Sequence, residues 1–204
     1  MGLMRGVPCA AAVIAVLSVA SCSSSSPVPP TPQTSTTASQ TSSTTSEATA
    51  DPSQDAEAQA LALIPRYLQT IDDLYLDPSR SLDELYEVSV APEATAEATA
   101  IGQFRAQGYR QTGRSQLVTA SVSEIDLTNE PAAVPSPVLP SVVVTACVDV
   151  GQVQATDGTG SSVIAPDRPR YLVQQLTVVN IDYPDASSWR VSEAPNTQAS
   201  TCDG

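Results

Sequence analysis

The chain has 204 residues, with nine Arg, no Lys and no His against 22 Asp and Glu, for a formal charge of −13. This balance excludes a nucleic-acid binder, which needs a basic stripe to displace counterions. It also excludes chemistry through His and through a Schiff-base or phosphate-loop Lys. Beyond the N-terminus no run of 18 or more apolar residues occurs, so no later membrane span is expected.

Arg5 is the only charge before Glu47, and an apolar stretch runs from Val7 through Ala20. A charged start followed by a short apolar run reads as an export signal, too short to span a membrane with stop-transfer flanks. The stretch ends in Val19-Ala20-Ser21-Cys22, which resembles the bacterial lipobox. In that family the Cys thiol receives a diacylglyceryl group and becomes the new N-terminus after cleavage. The resemblance implies a signal over residues 1–21, lipidation at Cys22, and a protein anchored to the outer face of the cell membrane. The competing reading is an ordinary signal cut near Ala20, with Cys22 unmodified. Cys9 lies within the signal and is lost with it. Acyl chains, each buried CH₂ contributing about 0.8 kcal/mol, would hold the protein durably on a membrane.

Residues 22–54 read as a tether. Four serines, Ser23 to Ser26, precede Pro27, Pro29, Pro30 and Pro32, and Ser and Thr then dominate to Ser53. All eight aromatics lie between Tyr67 and Trp189, so this tract has too little apolar surface to offset its ordering entropy. It is expected to be disordered, with an r.m.s. span of roughly 30 Å. Its Ser, Thr and Pro content also permits O-glycosylation.

Residues 55–204 form one domain, with eight Arg against twenty Asp and Glu. Leu61, Ile64, Leu68, Ile71 and Tyr75 recur at helical spacing over Asp55 to Tyr75, with a kink or a helix start expected at Pro65. Asp77-Pro78 stops this helix. Ser81 to Glu84 is a capping box opening a short second helix through Leu82, Leu85 and Tyr86. Pro92 suits the first turn of a third helix carrying Ala94, Ala98, Ile101 and Phe104, with Gly108 closing it. After Arg114 the period becomes two. Val118, Ala120 and Val122 share one face of a strand from Leu117 to Leu127; Ile125 and Leu127 take the opposite phase, which predicts a bulge near Ser123-Glu124. Residues 131–140 hold four prolines and must be loop. Ser141 to Gln154 is the clearest strand, with Val142, Val144, Ala146, Val148 and Val150 on one face and Thr145, Cys147 and Asp149 on the other. Asp157-Gly158 marks a turn, and Arg170–Tyr183 and Ser188–Glu193 read as two further strands. Helices followed by strands predict an α+β fold in which helices cover one face of an antiparallel sheet.

Cys147 and Cys202 are the cysteines left in an exported domain, where an oxidising compartment favours a disulfide. The alternative is two free thiols, and no His is present to activate either as a nucleophile.

The domain also resembles the small NTF2-like lipoproteins of actinobacteria. The resemblance rests on Arg105 to Gly113 at the helix-to-strand junction, Ala146-Cys147-Val148-Asp149, Tyr171 after Arg168 and Arg170, and Trp189-Arg190-Val191 followed by Cys202. It implies a cone, a curved antiparallel sheet wrapped by helices around a pocket. Members of that superfamily include binders of small apolar molecules, enzymes such as isomerases and dehydratases, and non-catalytic partner-binding domains.

The residues that could carry chemistry in such a cone are Asp149, Asp182, Tyr109, Tyr171 and Tyr183. Asp149 is the strongest as a general base; in the competing reading it faces solvent or pairs with Arg170 or Arg190. Asp182 to Asp185 reads mainly as a turn. Arg105, Arg110 and Arg114 form the densest cationic patch, expected to pair with local acids such as Glu97 and Glu124. Asp72-Asp73 and Asp83-Glu84 lack the spacing of a calcium loop and read as solvated helix faces. No metal or other cofactor is expected. The sequence therefore points first to an envelope lipoprotein whose non-catalytic domain binds an envelope protein or a small apolar ligand. The alternatives are an enzyme acting on a small apolar substrate through Asp149, and a phage-encoded lipoprotein that blocks superinfection.

Overall fold

The computed structural model describes residues 51–202; the expected signal, Cys22 and nearly all of the tether lie outside the described residues. The first helix, α1, spans Pro52–Leu76 and so begins within the last residues assigned to the tether. Asp51 caps it, its side chain accepting from Ser53 N–H at 3.0 Å, and Pro52 occupies the first turn, where its missing N–H costs nothing. Pro65 neither starts nor ends the helix, which runs through it. An interior proline costs about 3 kcal/mol. The neighbouring Leu63, Ile64 and Tyr67 are all buried, and full burial contributes roughly 1.5–3 kcal/mol for a side chain such as Leu or Ile, so packing outweighs the local penalty.

The buried face of α1 is rotated from the one the spacing predicts. Ala56, Ala60, Leu63, Ile64, Tyr67 and Leu74 are buried, whereas Leu61, Leu68 and Ile71 are half-buried on its flank. A 3-10 helix follows over Leu82–Glu87 in place of the expected α-helix. Ser81 caps it by accepting from Asp83 N–H, but Glu84 turns away to Arg80 and leaves the capping box half formed. Helix α2 spans Glu93–Ala106, and Gly108 (φ 74°) takes the left-handed conformation just beyond its end. Leu74, Leu85, Ala94 and Ile101 join α1, the 3-10 helix and α2 in a second core cluster.

All sheet pairing is antiparallel. Strands β1 (Arg110–Thr112) and β4 (Gln154–Thr156) pair as a small separate ribbon. The main sheet runs β2 (Gln116–Asp126), β3 (Ser141–Asp149), β5 (Tyr171–Asn180) and β6 (Trp189–Glu193); β7 (Asn196–Ala199) continues along the β5 edge that β6 leaves. The valine strand thus ends at Asp149 and the strand after Arg170 ends at Asn180, both earlier than the composition implies. In β2 the register shifts twice, at Val118 and at Ser123. The second shift is the expected bulge. The first was not expected; it turns Val118 outward, 48% exposed, and gives Leu117 the core position. Helix α1 packs on the inner face built by Val142, Val144, Ala146, Leu176, Val178 and Val191.

Cys147 and Cys202 are joined, with their Cα atoms 5.6 Å apart, and this ties the tail beyond β7 to the second strand of the sheet. The bond closes a segment of 55 residues, for which chain entropy predicts a stabilisation of about 4 kcal/mol. We expect the Cys147→Ser/Cys202→Ser double variant to lose about 2–4 kcal/mol in denaturant unfolding. Peptide mapping of the non-reduced protein should recover the linked pair, and finding both as free thiols would refute the bond.

Candidate functional site

Asp149, the strongest catalytic candidate, is fully engaged. One carboxylate oxygen accepts from Arg170 Nε at 3.0 Å and Nη2 at 2.6 Å, and the other accepts from Gly151 N–H at 2.8 Å. Arg170 first, then Gly151, hold its carboxyl below the usual carboxylate range. The same guanidinium lies over the ring of Tyr171, 5.2 Å from its centroid. A carboxylate so paired is a poor proton acceptor, and none of its hydrogen bonds goes to a tyrosine. Tyr109 instead packs edge-on against Phe104, and Phe104 against Tyr75. Asp182 lies in the turn that follows Asn180, as its sequence context implies.

The other charges do more internal work than their spacing indicates. Asp72 is buried rather than solvated and accepts from Ser115 N–H, Ser115 Oγ and Gln111 Nε2, tying α1 to the start of the sheet. Asp73 pairs with Arg114 and Arg80, and Arg80 also pairs with Glu84. Of the cationic patch, none meets Glu97 or Glu124. Arg105 donates to the carbonyls of Leu74, Asp77 and Arg80, where the end of α1 leaves acceptors unsatisfied, and Arg110 donates to the Tyr109 carbonyl.

A pair of glutamates that sequence reasoning passed over lies between α2 and β6. Tyr67 Oη donates to Glu93, whose other oxygen accepts from Ala194 N–H at 3.1 Å. Glu97, one turn further along α2, has no hydrogen-bond or cationic partner. Burial and then the charge of Glu93 push it up to about 7. Burial, followed by Glu97, pushes Tyr75 up to about 12, and burial with the Glu93 bond raises Tyr67 further. The only sequence signal was two Glu at i, i+4 without a basic neighbour, a destabilising spacing on an exposed helix. Among the described residues no group of three or more His, Cys, Asp or Glu is placed to hold a metal ion, and no helix is long and apolar enough to cross a membrane.

A groove runs along the first half of α1. Two adjoining hollows of about 420 and 640 Å³ share Gln59, Ala186 and Trp189. The first is bounded by Pro52, Asp55, Tyr183 and Pro184, the second by Leu63, Arg66, Tyr86, Glu87 and Arg190. Trp189 is the only Trp in the chain and sits against Asn180 in the sheet register. The buried Asn180 shapes the far wall by donating to the Asp185 carbonyl and accepting from Asp182 N–H. Arg190 braces the near wall, donating to the carbonyls of Tyr86, Ser187 and Trp189. Tyr86 stands 51% exposed beside it. Of the sequence-predicted candidates, only Tyr183 reaches this groove.

No protein-family model matches the chain, and no curated protein matches it. Among solved structures it is similar to the intermembrane space region of the chloroplast protein ARC6, with 12% identity and a TM-score of 0.48, over 70% of this chain and 97% of that one. It is also similar to Aln2 from a Streptomyces species, with 14% identity and a TM-score of 0.38, over 69% and 88% of the two chains.

The glutamate pair sets a pH dependence. Glu97 is raised from 4.5 to about 7 on folding, so the native state holds a proton that the unfolded chain releases. Its contribution is full below pH 4.5, declines as pH rises through this interval, and is gone above about 7. Asp73 and Asp149, lowered from 3.8, act oppositely, and their contribution is lost only in acid. We expect Glu97→Gln to flatten the decline between pH 4.5 and 7. It should also exceed the parent stability above pH 7 by about 1–2 kcal/mol, allowing for solvent screening of a half-exposed group. Urea midpoints measured across pH check this, and parallel curves for the two proteins would refute it.

Proposed function

We propose that the chain is a cell-envelope lipoprotein, exported by the signal over residues 1–21, lipidated at Cys22 and anchored to the outer face of the membrane. Its domain is read as an NTF2-like cone that binds an envelope protein without catalysis. The lipobox residues Val19 to Cys22 support the anchor. The net negative charge of the domain suits a body held off an anionic membrane rather than lying on it.

The observation that carries the binding function is the groove. Trp, Tyr and Arg are the residues enriched where binding energy concentrates in protein interfaces, and Trp189, Tyr86, Arg66 and Arg190 all line one hollow. The engagement of Asp149 with Arg170 weighs against the enzyme reading. The reading of a small apolar ligand loses ground because α1 side chains already fill the inner face of the sheet. Among the described residues the larger hollows are open surface features, which suits a protein partner.

Two measurements test this function. Cys22→Ala should move the protein from the membrane fraction to the soluble fraction, and unchanged retention would refute the anchor. A photo-crosslinking residue at Ala62, in the groove, should yield a discrete adduct in intact cells, and one at Ser121 on β2 should not. Adducts at Ser121 alone would move the binding surface elsewhere.

A further inference from the structure

The groove holds two of the domain's guanidinium groups that form no ion pair, Arg66 and Arg190. The ion pairs in the described residues use Arg80, Arg114 and Arg170. Arg66 is exposed on α1, and its side chain has no hydrogen bond or ion pair. Arg190 is held by three carbonyls through Nε and Nη1, which leaves Nη2 without a protein acceptor; it forms no ion pair, although the Asp185 carboxylate feels its charge from further away. Both line the same hollow as Leu63, Tyr86 and Trp189. Glu87 stands on that wall too, yet forms an ion pair with neither arginine.

In a domain with twenty acids and eight arginines, the second hollow of the groove, lined by Arg66 and Arg190 against Glu87, has a local charge opposite to the net charge. From this complementarity we infer that the groove takes an acidic segment of a partner protein. A partner carboxylate meets Arg66 and Arg190, and an adjacent apolar side chain packs on the exposed Tyr86 and on the edge of Trp189 that the core leaves open, 5% of its surface. The inference rests on the groove being the binding surface and adds the chemistry of its occupant. Charge-assisted bonds from a guanidinium to a carboxylate are short and strong, and Arg190 is already held in place, which lowers the ordering cost of binding. The remaining negative charge does not prevent approach, because at physiological ionic strength charges are screened beyond about 8 Å.

The probe is a display library of random dodecapeptides lacking Trp, selected on the purified protein. Selected peptides are then titrated while the fluorescence of Trp189, the only Trp, is followed. The expected winners place Asp or Glu beside Leu or Phe and shift the Trp189 emission. Arg66→Gln, a change at an exposed side chain without contacts, should weaken them about tenfold. Replacing the peptide's acid by its amide should cost the same, and the two changes together should cost little more than either alone. Peptides that shift Trp189 but show no preference for acid, or binding that ignores Arg66→Gln, would overturn the acidic occupant and leave the groove as a binding surface. Peptides that bind without moving Trp189 would overturn both readings. A library that yields no binder would overturn the acidic occupant, while the crosslink at Ala62 still judges the groove.

Discussion

The contact between α1 and the inner face of the antiparallel sheet sets the terms for everything else in the domain. Ala56 and Ala60 bring the helix close to the strands, and Leu63, Ile64 and Tyr67 meet the valines of β3 with Leu176 and Val178 of β5. This burial carries the helix through Pro65 and sets its rotation about its own axis. The rotation in turn directs Asp72 inward to Ser115, Tyr67 towards Glu93, and Arg66 outward into the groove. These three polar arrangements therefore follow from one apolar seam.

The domain meets its scarcity of cations in a particular way. With eight arginines for twenty acids, pairing every acid is impossible, and several arginines are spent on backbone carbonyls instead. Arg105 closes the end of α1, Arg168 donates to Val150 and Val153, and Arg190 ties the 3-10 helix to β6. Orphan carbonyls at helix ends and tight turns carry partial negative charge, and a planar fork of donors satisfies several at once. Among the acids without an ion pair, Asp72 is buried on hydrogen bonds alone and Glu97 raises its proton affinity instead. The same economy leaves Arg66 and Arg190 without ion pairs in the hollow that Tyr86 and Trp189 line.

The α+β order, the valine strand, the bulge near Ser123 and the turn at Asp157-Gly158 were legible because each depends on local periodicity or turn chemistry. The bulge at Val118 was not, because Leu117 and Val118 are equally apolar and either can face the core. β1, β4 and β7 are three or four residues long, too short for a period to declare itself. The start of α1 had a signal in Asp51-Pro52, a cap followed by a first-turn proline, overshadowed by the Ser/Thr composition before it.

The groove was the least legible feature. Its walls come from Arg66, Tyr86 and Trp189, which are scattered along the chain and share no motif. By itself the sequence determined the α+β class of the domain, the exclusion of His and Lys chemistry, and the cysteines present to pair. Those are properties of composition and of neighbours along the chain. The tertiary structure decided that Asp149 is paired with Arg170, that Asp72 is buried, that Glu97 lies where burial and Glu93 raise its proton affinity, and that two arginines form no ion pair beside Trp189. The face of α1 that meets the sheet places Asp72 and Arg66, the β3–β5 pairing places Asp149, and all are contacts between residues distant in sequence.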